Sequence, residues 1–171
     1  MPSKKQIPLD LEKLINQLEK AGIKYILVGG MAAIAQGAPL FSFDLDIVHE
    51  RSEGNTEKIK HLLTQLDAYQ RRYDDLKLKP DFDALKGSGH MLLSTKFGPL
   101  DILGSIEKGL GYEELIDNVI EIDFHGHTLH VLNLETLIDL KQASTRVEDQ
   151  QRLKILKETL AQINNGKDYD F

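Results

Sequence analysis

Two aspartates stand one residue apart in the apolar run Phe43-Asp44-Leu45-Asp46-Ile47-Val48. Strand side chains alternate between faces, so the run predicts Phe43, Leu45 and Ile47 lining a core while Asp44 and Asp46 project together from the other side. Strands disfavour such pairs. Asp is depleted in them, and two like charges repel by about 4 kcal/mol at ~4 Å and an effective dielectric near 20. A divalent cation reverses that repulsion, and Mg²⁺ suits the donors because it takes oxygen ligands, keeps several waters and is usually completed by substrate phosphates. The bland alternative is a pair of solvated acids on an edge strand.

A third acid sits at the centre of another short apolar run, Pro99-Leu100-Asp101-Ile102-Leu103, with Gly98 and Gly104 as strand boundaries. If this strand pairs beside the first, Asp101 joins Asp44 and Asp46. Three carboxylates on neighbouring strands can hold two ions about 3.5–4 Å apart, the spacing that activates an attacking oxygen and stabilises a leaving one. Upstream, Ile23 to Val28 reads as a strand and Met31 to Gln36 as a short helix ending at Gly37. Gly29-Gly30 is then a strand-to-helix turn, where missing Cβ atoms let backbone N–H groups approach a phosphate. Tight turns also use glycine for conformational reasons alone.

Taken together, Val28-Gly29-Gly30, a gap over positions 31–43, Asp44-Leu45-Asp46-Ile47 and the later Leu100-Asp101-Ile102 resemble the nucleotidyltransferases related to DNA polymerase β. The wider wording, Phe97 to Gly104 and Leu134 to Lys141 through Arg146 and Asp149, is similar to the small bacterial minimal nucleotidyltransferases, including the abortive-infection and toxin–antitoxin types. The resemblance spans roughly residues 20–160. It implies a mixed α/β nucleotidyltransferase fold with a mixed sheet, flanking helices and a C-terminal hairpin and helical extension. It also implies a Mg²⁺-dependent enzyme, with two ions, that transfers a nucleoside monophosphate from an NTP such as ATP to an acceptor hydroxyl and releases pyrophosphate. Asp44, Asp46 and Asp101 would be the catalytic and metal-binding acids, and Gly29, Gly30, Ser42, Lys141 and Arg146 the nucleotide contacts. The acceptor would be a tRNA end, a partner protein side chain or a small molecule. Family members often carry Arg and Thr before the acid pair, where this chain has Leu40 and Ser42; Ser42 keeps a hydroxyl, while Leu40 cannot grip phosphate. Arg51, Lys86 or Lys96 would have to compensate. The substitution favours one other function, a non-catalytic regulatory module, and the same acids would also serve an unrelated metal-dependent phosphohydrolase.

The elements that must position these residues are legible in outline. Leu11, Leu14, Ile15 and Leu18 mark an amphipathic helix before Gly22, and Ile59, Leu62, Leu63 and Leu66 mark another after the acid pair. His90 to Lys96 reads as a strand turning at Phe97-Gly98 into the Asp101 strand. Val119 to Phe124 and Thr128 to Leu132 read as a hairpin around Gly126, and Asn133 as the cap of a following helix. Leu153, Leu156, Leu160 and Ile163 mark the last helix. Lys141 and Arg146 lie at the end of one helix and in the turn before the next; their local alternatives are a helix C-terminus for Lys141 and a pair with Asp149 for Arg146. His125, His127 and His130 read as exposed hairpin residues, and His49 as a strand-end residue at the surface or behind the acids.

Composition agrees with one compact unit. At 171 residues and 41% hydrophobic, a single domain is expected, with a catalytic core over about 1–108 and an extension over about 109–171, the seam lying near Gly109 to Gly111. No cysteine is present, which removes disulfides, thiolate zinc sites and thiol nucleophiles. The polar, basic Met1 to Pro8 lacks an apolar signal core and no run approaches a membrane span, so a cytoplasmic protein without membrane contact is expected. A net charge of −6 argues against a broad nucleic-acid surface. Arg71, Arg72, Lys77 and Lys79, beside Tyr69 and Tyr73, form a basic cluster that reads either as an acceptor groove or as a solvated loop.

Overall fold

The acid-bearing strand lies at the centre of the sheet, where both of its edges are paired. In the computed structural model, which describes residues 6–74 and 76–167, seven strands form one mixed sheet. They are β1 (Tyr25–Val28), β2 (Leu45–His49), β3 (Tyr69–Gln70), β4 (His90–Thr95), β5 (Gly98–Leu103), β6 (Val119–Phe124) and β7 (His127–Leu132), in the spatial order β3-β4-β5-β2-β1-β7-β6. The helices among the described residues are α1 (Leu11–Lys20), α2 (Gly29–Ala35), α3 (Glu53–Gln65), α4 (Tyr112–Leu115), α5 (Leu134–Lys141) and α6 (Val147–Lys167). The fold class is mixed α/β. Met1–Lys5, part of the basic N-terminal stretch, lie outside the described residues.

Local chemistry accounts for the boundaries. Asp10 caps α1 by accepting from the Lys13 amide at 3.2 Å, and the Leu14, Ile15, Leu18 stripe is buried. Ser52 caps α3 and Asn133 caps α5 in the same way. The β6–β7 hairpin turns through His125 and Gly126, both at positive φ, as a two-residue connection requires when it follows the right-handed twist of its strands. One strand of that hairpin also pairs in parallel with β1 at Leu27↔Val131, so the C-terminal extension completes the sheet.

Register decides where the acids meet. β2 runs parallel to β5, with Asp46 opposite Asp101; on its other edge β2 is antiparallel to β1, with Val28 opposite Asp46. Residues opposite one another share a face, so Asp46 and Asp101 are neighbours on one side of the sheet. Leu45, Ile47, Leu100 and Ile102 fill the buried core on the other.

The expected strand start is corrected. β2 begins at Leu45, Asp44 sits in the bend before it, and Phe43 is 82% exposed where alternation predicts burial. Ahead of β2 no neighbouring strand fixes the pleat, so the period-2 rule has nothing to act on. The helix after β1 also starts earlier than expected, at Gly29 itself.

Candidate active site

Asp44, Asp46 and Asp101 converge: each offers an oxygen within 4.8 Å of the others. Asp101 is buried, and Oδ1 of Asp46 is buried without a hydrogen-bond partner among the described residues. Burial first, then the Asp44 charge and the contact with Asp101, push the Asp46 carboxyl up to about 8 from an ordinary 3.8. Burial raises Asp101 as well, against the pull of a nearby guanidinium. An orphaned carboxylate oxygen inside an acid cluster is costly in isolation. A hard divalent cation with oxygen preference fits this donor set.

That guanidinium belongs to Arg71, which leaves β3 alongside β4. Its backbone N–H donates to Leu92 O at 2.9 Å, and Leu92 is the register partner of Asp101. The side chain therefore reaches across one strand: Nη2 donates to Asp101 Oδ1 at 2.5 Å and lies 3.9 Å from Asp44 Oδ2, while Nη1 donates to Leu93 O at 3.4 Å. In the sequence Arg71 belongs to a basic cluster, and no local signal ties it to the acids. The structure separates that cluster, with Arg72 held by Asp74 at 2.7 Å and the Lys77 ammonium 5.1 Å from the centre of the Tyr69 ring.

The glycine turn is shaped by the acids it faces. Gly29 has φ +68°, and a Cβ there would collide with Asp46 Oδ2. A side chain at Gly30 would lie 2.9 Å from Ser42 Oγ and 3.9 Å from Nη1 of Arg152. Ser42 Oγ donates to Asp44 O at 3.2 Å. Gly30, Ser42 and Arg152 thus surround one small space next to the acid pair. Arg152, from the first turns of α6, has no ion pair among the described residues. Only its place in the fold reveals it, since nothing in the local sequence sets it apart from the other charged residues of that helix.

The two basic residues singled out from the sequence are engaged elsewhere. Lys141 Nζ bonds Glu107 at 2.6 Å and lies 4.0 Å from Asp149, joining α5 to the segment after β5. Arg146 is exposed and faces Glu148 at 3.8 Å, while Asp149 accepts from Ser144 Oγ at 2.6 Å, so the expected Arg146–Asp149 pair is replaced. Of the cations named as substitutes for the missing arginine, Lys96 lies over the Phe97 ring and Arg51 lies beside Gly111. Lys86 ends a 3-10 turn over Phe82–Lys86.

His49 departs from both expectations. It is 2% exposed, and its ring nitrogens sit 2.7 Å from Leu85 O and 3.2 Å from Leu103 O. Burial holds its pKa below the ordinary value. Of the hairpin histidines, His125 lies 3.8 Å from Glu12, His127 3.2 Å from Asn16 Oδ1 and His130 3.8 Å from Glu121. Their partners are three separate residues, and they form no common site.

No protein-family model matches the sequence, and the search of curated proteins found no match. Solved structures do match. The lincosamide antibiotic adenylyltransferase LnuA, in its lincomycin-bound crystal structure, is similar with a TM-score of 0.60 at 14% identity, over 89% of this chain and 99% of that one. A protein described as a nucleotidyltransferase, TM1012 of Thermotoga maritima, gives 0.50 at 17% identity over 94% and 99%. The antibiotic-resistance factor ANT(2'')-Ia gives 0.51 at 10% identity over 86% and 80%. At these identities the likeness concerns the fold, which this chain shares with nucleotidyltransferases.

Proposed function

We propose that the protein is a divalent-metal-dependent nucleotidyltransferase that moves a nucleoside monophosphate from an NTP to an acceptor hydroxyl. The acceptor oxygen bonds to the α-phosphorus, the bond from that phosphorus to the bridging oxygen breaks, and pyrophosphate leaves. Asp44 and Asp46 would hold Mg²⁺, which neutralises the triphosphate and polarises the α-phosphate. Asp101 accepts the proton that the acceptor hydroxyl loses. Backbone N–H groups at Gly29 and Gly30, with Ser42 Oγ and the Arg152 guanidinium, orient the phosphate oxygens, so that catalysis rests on positioning and preorganised charge. Lys141 and Arg146 serve as further nucleotide contacts only if they exchange their present partners for phosphate.

The observation that carries this reading is the parallel register that sets Asp46 against Asp101 beside Asp44, with one Asp46 oxygen orphaned. The acceptor reading follows from the rim. Phe41 and Phe43, 85% and 82% exposed, flank Ser42 immediately before Asp44, and Arg72, next in the chain to the Arg71 that bonds Asp101, is already paired with Asp74. A flat, uncharged or cationic small molecule fits such a rim better than an RNA end, whose phosphates need free cations. A partner protein side chain is the alternative acceptor, as in a toxin–antitoxin pair.

The test is transfer of label from each of the four α-labelled NTPs, with Mg²⁺ or chelator, to lincomycin-like small molecules, tRNA and lysate protein. Mg²⁺-dependent labelling of one class is expected. A second reading, a nucleotide-binding regulatory module, is favoured by Leu40 standing where an arginine is usual; it predicts Mg²⁺-dependent NTP binding with no transfer. An NTP-dependent rise in melting temperature under Mg²⁺ is expected under both, and its absence counts against both.

A further inference from the structure

We infer that Arg71 is a resident counter-cation that occupies the Asp101 side of the acid cluster until a second divalent ion displaces it, so that the cluster loads its ions in a fixed order. The inference rests on the proposal that this cluster binds divalent ions.

The guanidinium divides the three acids unequally. It is hydrogen-bonded to Asp101 and close to Asp44, yet Asp46 Oδ1 is left buried and unpartnered. The guanidinium's direct hydrogen bond is to Asp101, with Asp44 at 3.9 Å, so an ion competes with the arginine for a lone pair at Asp101 and not at the Asp44–Asp46 side. One oxygen of each acid lies within 4.8 Å of the others, and Mg²⁺ sits about 2.0–2.1 Å from each ligand oxygen. An ion bound to the Asp101 oxygen would compete with Nη2 for the same lone pairs and repel it at close range. Both cannot hold that oxygen at once.

Arg71 is built to move without unravelling the sheet. Its backbone amide stays tied to Leu92 O, and its side chain is a quarter exposed, so release requires rotation of the stem toward solvent and loss of the long 3.4 Å bond from Nη1 to Leu93 O, with the strand pairing left intact. A first ion can bind Asp44 and Asp46 with Arg71 in place. Only a second ion, at Asp101, requires the arginine to leave.

The experiment is Mn²⁺ titration, by calorimetry and by electron paramagnetic resonance, of the wild-type protein and of Arg71→Gln. The wild type is expected to show one tighter and one weaker site. Arg71→Gln is expected to tighten the weaker one by about tenfold or more, the scale of a lost charged hydrogen bond, with little change at the tighter one. A weaker site left unchanged or loosened overturns the inference and makes Arg71 a support of the cluster. No Mn²⁺ uptake by either protein overturns the metal reading itself, and this inference with it. A measurement on the wild type guards against misfolding of the variant: the ¹⁵N side-chain signal of Arg71, assigned by its loss in Arg71→Lys, is followed through a Mg²⁺ titration. Movement at the second binding step is expected. Movement at the first step, or none by saturation of both, overturns the ordering.

Discussion

β2 carries two partly or fully buried titratable side chains three residues apart, Asp46 near its start and His49 at its end, and they are treated in opposite ways. His49 has a backbone carbonyl at hydrogen-bonding distance of each ring nitrogen, whereas Asp46 retains an oxygen with no partner and a carboxyl pushed up to about 8. Folding alone therefore explains His49. It does not explain Asp46, because a buried carboxylate with an unmet oxygen destabilises the protein that carries it unless a ligand repays the cost. The contrast separates a polar group that serves the fold from one that serves a ligand, and it can be attacked from both ends of the strand.

The largest effect is expected at Asp46. Removing one metal-binding charge by Asp46→Asn should lower nucleotidyl transfer by about 10³-fold, the equivalent of several kcal/mol of lost transition-state stabilisation. In chelator at pH 8 the same variant should melt at a higher temperature than the wild type. Wild-type transfer combined with a lower metal-free melting temperature would make Asp46 a structural acid and erase the contrast.

At the other end, His49→Leu should cost about 1–3 kcal/mol of stability, because it removes the single ring N–H that serves a backbone carbonyl, Leu85 O or Leu103 O. Denaturant unfolding reads that loss. Activity per folded molecule should stay near wild type; a loss of turnover without a loss of stability would place His49 in the catalytic machinery.

The two groups also pull pH dependence in opposite directions. Asp46 has a folded pKa raised from 3.8 to about 8, so the folded state binds the extra proton between those values and metal-free stability falls as pH rises across them. His49 has a folded pKa lowered below 6.5; here the unfolded chain binds the extra proton, and stability falls as pH drops through that value. Chelator-treated protein should therefore be most stable in the mildly acidic range. Asp46→Asn should flatten the alkaline limb, and His49→Leu should lessen the acidic one. Melting curves across pH check both, and an unchanged alkaline limb in Asp46→Asn contradicts the assigned shift.

The smallest expected effects distinguish the basic residues around the site. Arg152→Ala should weaken NTP binding severalfold while leaving stability within about ±0.5 kcal/mol, as is usual for surface positions. Lys141→Ala should lose about 0.5 kcal/mol through its half-exposed bond to Glu107 and leave NTP affinity nearly unchanged. Reversed results, read by NTP titration of both variants, would return the phosphate grip to Lys141.

How much of this was legible in the sequence depends on how far apart the partners lie in the chain. The acid pair, the glycine turn, the β4–β5 hairpin and the hairpin at Gly126 are set by neighbours within a few residues, and local pattern finds them. Arg71 reaches Asp101 across thirty residues, and His49 finds its carbonyls thirty-six and fifty-four residues away; no local periodicity encodes such meetings. Phe43 misled for a different reason. Its alternation with Leu45 and Ile47 is real in the sequence, but the pleat that would give it meaning begins two residues later.

The turn between β4 and β5 carries a further consequence. Thr95 Oγ1 donates to Gly98 O at 2.8 Å and accepts from the Phe97 amide at 3.1 Å, while Gly98 takes a positive φ close against the backbone of Leu9. This knot counts out the residues of β5. A slip of one position would present Leu100 or Ile102 to Asp46 in place of Asp101 and turn the carboxylate into the core. A single-residue insertion or deletion in that turn is thus an error of arithmetic that would leave the sheet recognisable and the chemistry absent.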